Sequence, residues 1–129
     1  MRIEHVGLMV EDLEVMRLFY EKYFKAVAGV KYHNPQTTFQ SYFLTFSDGT
    51  RLEIGTRSHL NNLTEAKKEN RTGYSHLAFS LASKEAVDDL AAVLRSDGFS
   101  VKSGPRTTGD GYYEAVILDP EANEIEITI

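Results

Sequence analysis

Residues 2–10 alternate in polarity, with Val6, Leu8 and Val10 on one side and Ile3, His5, Gly7 and Met9 on the other. A period of two predicts a strand with one face buried. Asp12 is a suitable N-cap, and Leu13, Met16, Phe19, Tyr20 and Tyr23 follow at three- and four-residue steps. That spacing predicts an amphipathic helix ending before Gly29, able to cover the apolar side of the strand. Gln40–Phe46 and Thr50–Thr56 flank Ser47-Asp48-Gly49, and Asp-Gly between two apolar runs is a two-residue hairpin signal.

The same order then recurs. Tyr74–Ala82 reads as a strand, Ser83 as the cap of a helix carrying Val87, Leu90, Ala91 and Leu94, and Gly98 as its stop. Ser100–Ser103, a glycine-rich loop from Gly104 to Glu114, Tyr112–Leu118, a turn at Asp119-Pro120 and a closing strand Glu124–Ile129 complete the second copy. Each copy reads βαβββ. The fold class expected is α+β, one domain over 1–129, with module one at 1–57, a linker at 58–73 and module two at 74–129. The linker is polar and without clear periodicity, with room for a short helical stretch.

Strand parity decides which polar side chains share a face, because a slip of one residue would reverse every orientation. Leu77, Phe79 and Leu81 oppose His76, Ala78 and Ser80; Ile125, Ile127 and Ile129 oppose Glu124, Glu126 and Thr128; Leu52 and Ile54 oppose Arg51, Glu53 and Gly55. His5, Glu53, His76 and Glu126 therefore all face away from their strands' hydrophobic rows. If helices cover the apolar faces, the opposite faces form a polar-lined concavity.

Composition narrows the chemistry. The chain has no cysteine, which removes disulfides and thiolate ligands and leaves any metal to His, Asp and Glu. Nineteen acidic against fourteen basic residues give a net charge of -5, and the basic residues are dispersed, so nucleic acid is not an expected partner. No apolar run reaches the roughly 20 residues that span a bilayer. MRIEHVGLMV also places Glu and His where a signal peptide needs unbroken hydrophobes, so the expected location is the cytoplasm, with no membrane partner.

A single histidine or glutamate in a strand is ordinarily structural or solvated. Four at repeat-equivalent positions, His5 with Glu53 and His76 with Glu126, form two copies of a ligand pair suited to a divalent ion. The rival reading leaves both glutamates facing solvent on an open sheet, paired with Arg51 or a lysine. His33, beside Asn34-Pro35, and His59, in the linker, have no repeat partner and read as surface residues.

The segments IEHVGLMVEDLE, GYSHLAFSL and LDPEANEIEI resemble the vicinal oxygen chelate superfamily and, within it, glyoxalase I (lactoylglutathione lyase), along essentially the whole chain. The resemblance implies a glyoxalase/bleomycin-resistance/dioxygenase-like half-barrel built from paired βαβββ modules. It also implies one divalent metal ion, nickel or zinc with cobalt or manganese as alternatives, bound by His5, Glu53, His76 and Glu126, and a homodimer acting on a small-molecule substrate. Glu53 favours isomerase-like chemistry, since similar thiol transferases and extradiol dioxygenases use three ligands, and similar epimerases carry Gln at that position. Two neutral imidazoles and two carboxylates leave two cis positions in an octahedral shell, where a 2-oxoaldehyde hemithioacetal could bind. Glu126 is then the expected base forming an enediolate, with Glu53 as ligand and second proton carrier.

Substrate contacts depart from the bacterial glyoxalase I pattern. Where that family has an Arg and an Asn contacting glutathione, this chain has Met9 and Arg57. Arg106, in the Gly104–Glu114 loop, suits an anionic substrate group. Thiol transfer, epimerisation, and small-molecule binding without turnover remain the alternatives.

Overall fold

The computed structural model describes residues 1–60 and 72–129 of the 129-residue chain. The helical stretch considered in the linker lies outside the described residues. The chain divides into two compact units, Met1–Leu63 and Thr64–Ile129.

In the first unit, β1 (Val6–Met9) leads into α1 (Leu13–Phe24), followed by β2 (Val27–Ala28), β3 (Tyr32–His33), β4 (Gln40–Thr45) and β5 (Arg51–Thr56). Asp12 caps α1 as expected, its side chain accepting from the backbone N–H groups of Glu14 and Val15. Lys25, in the left-handed region at φ 54°, ends the helix. Leu13, Met16, Phe19 and Tyr20 form the buried stripe of α1, over a sheet whose buried face carries Leu44, Leu52 and Ile54. Each such burial contributes roughly 1.5–3 kcal/mol. The sheet order is β1-β5-β4-β2, with β3 also paired to β4. β1 runs parallel to β5, while β4 and β5 form an antiparallel hairpin.

The second unit repeats this path. β6 (His76–Ser80), α2 (Lys84–Ser96), β7 (Val101–Thr107), β8 (Tyr113–Leu118) and β9 (Glu124–Thr128) form a sheet of order β6-β9-β8-β7, with β6 parallel to β9. Ser83 caps α2 by accepting from the Ala86 N–H. Val87, Ala91 and Leu94 are buried, as are Ala115, Ile117, Ile125 and Ile127 on the sheet. This unit is βαβββ as expected; the first adds the short strand β3, so that His33, expected in a loop, pairs with Gln40.

The structure corrects three further details. β1 begins only at Val6, leaving His5 just ahead of the strand. The β4–β5 connection is a three-residue loop: the Phe46 N–H donates to the Thr50 carbonyl, the Gly49 N–H to the Phe46 carbonyl, and Gly49 has φ 85°. That is a turn followed by a left-handed residue rather than a two-residue turn. Finally, Gly104–Thr107 is not a loop but the end of β7, with only the following residues turning back. Gly-Pro signals a loop locally, whereas here a register shift between Ser103 and Arg106 takes up the irregularity within the ladder. Gly104 is required there: at φ 83°, an added Cβ would lie 2.5 Å from the Glu114 carbonyl oxygen.

Candidate metal centre

The parallel ladders give both glutamates one setting. Glu53 on β5 pairs with Gly7, two residues after His5, and Glu126 on β9 pairs with Ala78, two residues after His76. Each glutamate lies between fully buried or nearly buried neighbours, Leu52 and Ile54 in one case and Ile125 and Ile127 in the other. Alternation therefore turns each carboxylate to the face away from the helix.

Two pairs result. Nε2 of His5 is 3.7 Å from Oε2 of Glu53, and Nε2 of His76 is 3.6 Å from Oε2 of Glu126. Both separations exceed a hydrogen bond, so neither imidazole is committed to its carboxylate. Two donors each about 2.1 Å from one ion stand about 3.0–3.4 Å apart, so a small side-chain rotation suits each pair to a shared divalent cation. The carboxylates are about one-fifth exposed and the imidazoles about two-fifths. Among the described residues, no group of three or more His, Cys, Asp or Glu side chains is placed to hold a metal ion; the candidate ligands stand as two His–Glu pairs.

Sequence reasoning passed over several neighbours of these pairs. In the first unit Glu4 contacts His5 Nδ1 and Arg51, and Phe43, opposite Glu53 in the ladder, meets the His5 ring edge-on at 5.1 Å. The tertiary pairing of β1 and of β4 with β5 brings these residues together. In the second unit Glu114 is 8 % exposed. Burial and the nearby Glu126 charge raise its pKa, while Arg106 lowers it. The parity of YEAVIL within the expected strand Tyr112–Leu118 already places Glu114 on the Glu126 face; counting Glu114 also as the last residue of the Gly104–Glu114 loop hides that signal.

The three proposed substrate contacts lie apart in character. Met9 is 42 % exposed at the end of β1. Arg57 is exposed, its guanidinium 5.8 Å from the Phe39 ring centroid. Arg106 is on β7 opposite Glu114, with Nη2 3.3 Å from Oε1.

No helix among the described residues is long and apolar enough to cross a membrane.

Comparison with known proteins agrees with this architecture. Uncharacterized protein YqjT of Bacillus subtilis (strain 168) is 26% identical, the match covering 97% of this chain and 96% of that protein. A solved structure from Bacillus cereus, described as a possible glyoxalase, is 26% identical with a TM-score of 0.74 and coverage of 100% and 99%. The trypanothione-dependent glyoxalase I of Leishmania major is 21% identical with a TM-score of 0.78, covering 99% of this chain and 86% of that one, and shares the fold. Residues 2–127 match the Glyoxalase/Bleomycin resistance protein/Dioxygenase superfamily. With its two repeated units, the chain belongs to that superfamily, the vicinal oxygen chelate proteins.

Proposed function

We propose that this protein is a divalent-metal-dependent, glyoxalase I-like lyase or isomerase acting on a 2-oxoaldehyde hemithioacetal through an enediolate. The observation that carries this reading is the equivalence of the two His–Glu pairs, set by the same ladder offset in both units and separated by 3.7 Å and 3.6 Å. In the proposed enzyme, modules 1–57 and 74–129 contribute one pair each to a single metal-ligand set, His5, Glu53, His76 and Glu126, in a homodimer.

The donor set is hard and borderline, nitrogen and carboxylate oxygen, and suits nickel or zinc, or cobalt or manganese. A cation held by His5, Glu53, His76 and Glu126 would supply Lewis-acid polarisation of the substrate carbonyl. The chain's own residues do the rest. Glu126 takes the proton from the carbinol carbon and returns it to the neighbouring carbon, and Glu53 stays as ligand and second proton carrier. Arg106 receives an anionic group of the substrate, and Met9 and Arg57 border the part that differs between thiols.

The test is turnover of hemithioacetals of methylglyoxal formed with several low-molecular-weight thiols, by wild type and Glu126→Gln, each loaded with Ni²⁺ or Zn²⁺. Wild type turns over at least one of them, and Glu126→Gln binds metal but is crippled. Full activity in Glu126→Gln overturns the assignment of the base. Inactivity of wild type toward every hemithioacetal, together with turnover of fosfomycin or an acyl-CoA epimer, replaces the reaction.

A further inference from the structure

The two His–Glu pairs share a register but not their surroundings. In the first unit, one oxygen of Glu4 contacts Nδ1 of His5 and the other contacts Nη2 of Arg51. The Arg51 guanidinium stacks 4.4 Å from the Phe43 centroid, and Phe43 in turn meets the His5 ring at an interplanar angle of 86°. His5 is thus held by a carboxylate at one nitrogen and an aromatic ring at its side, while Nε2 faces Glu53.

The repeat-equivalent positions of the second unit carry none of this. Ser75 stands where Glu4 does, just before the histidine. Val116 lies opposite Glu126 where Phe43 lies opposite Glu53. Glu124 occupies the position of Arg51 and contacts Lys102. A serine hydroxyl, a valine and an acidic side chain cannot rebuild the carboxylate, ring and guanidinium that brace His5.

We propose that Glu4 is a positioning residue, gripped by Arg51, that holds His5 in its Nδ1–H tautomer with the Nε2 lone pair open for a cation. His5 and Glu53 then form the anchoring half of the metal set, and His76 and Glu126 the labile half. This rests on the metal-dependent reading given above. A neutral imidazole has one donor and one acceptor nitrogen, and a carboxylate can only accept, so Glu4 at Nδ1 assigns the free lone pair to Nε2. Carboxylate partners of this kind orient a ligating histidine and raise its basicity.

The experiment has two readouts. Long-range ¹H–¹⁵N NMR of the metal-free protein reports the His5 tautomer, and calorimetric titration with Zn²⁺ reports affinity. Wild type shows Nδ1–H at His5. Glu4→Ala reverts to the Nε2–H form that free histidine favours and binds Zn²⁺ about 10- to 100-fold more weakly, whereas Ser75→Ala changes neither. Among ligand variants, His5→Ala loses more affinity than His76→Ala. Nε2–H at His5 in wild type, or a Glu4→Ala variant with unchanged tautomer and unchanged affinity, overturns the proposal. Failure of wild type to take up Zn²⁺ overturns the functional reading and the anchoring role with it, and the metal-free tautomer still decides what Glu4 does to His5.

Discussion

Arg106 and Glu114 stand opposite each other across β7 and β8, with guanidinium Nη2 3.3 Å from carboxylate Oε1. Glu114 is buried and shares its sheet face with Glu126; burial first and the Glu126 charge second raise its pKa, while Arg106 opposes the rise. Arg106→Gln removes the cation and leaves the buried carboxylate short of a partner. Urea denaturation at neutral pH is expected to show a loss of about 1–2 kcal/mol, the cost of an under-satisfied buried acceptor. An unchanged midpoint would mean that Glu114 does not depend on Arg106.

The β8–β9 connection copies the β4–β5 loop with one difference. The Asp119 N–H donates to the Asn123 carbonyl and the Ala122 N–H to the Asp119 carbonyl, the pattern seen at Phe46, Thr50 and Gly49. Where Gly49 has φ 85°, Ala122 has φ 62°. A left-handed conformation costs a residue with a Cβ roughly 1–2 kcal/mol, partly offset by the greater chain entropy glycine loses on folding. Ala122→Gly should therefore stabilise the protein by about 0.5–1 kcal/mol, read as a higher thermal midpoint; a lower midpoint would show that the alanine methyl makes a compensating contact.

Acid stability has an identifiable contributor in the first unit. Glu14 accepts from Lys31 and Arg17 and also from the Tyr42 hydroxyl, and its pKa falls from 4.5 to about 2, chiefly through Lys31. The folded pKa is below the unfolded one. Its stabilising contribution is therefore complete above the unfolded value and is lost as pH falls from about 4.5 through about 2. In urea melts across that window, Glu14→Gln should lose less stability on acidification than wild type. Parallel curves for the two proteins would contradict the assignment.

Much of this was legible in the sequence where local physics decides the outcome. Asp12 and Ser83 cap their helices because short polar side chains satisfy free N–H groups whatever the tertiary setting. Glu53 and Glu126 face away from the helices because alternation leaves no choice once Leu52, Ile54, Ile125 and Ile127 are buried. What failed was non-local. Arg106 sits on a strand despite Gly104-Pro105, since pairing to Glu114 overrides the local loop signal. The two-residue strands β2 and β3 exist only through β4. The brace of Glu4, Arg51 and Phe43 around His5 joins three chain segments that no spacing rule connects.

In the proposed enzyme the two His–Glu pairs serve one cation. Metal content per chain, measured by mass spectrometry after Ni²⁺ or Zn²⁺ loading and removal of free ion, tests it most directly. The account predicts one tightly held ion per chain in wild type, retention weakened by Ala at any of His5, Glu53, His76 or Glu126, and no change for His33→Ala. Two ions per chain, lost separately with each pair, or metal content indifferent to all four substitutions, would contradict it.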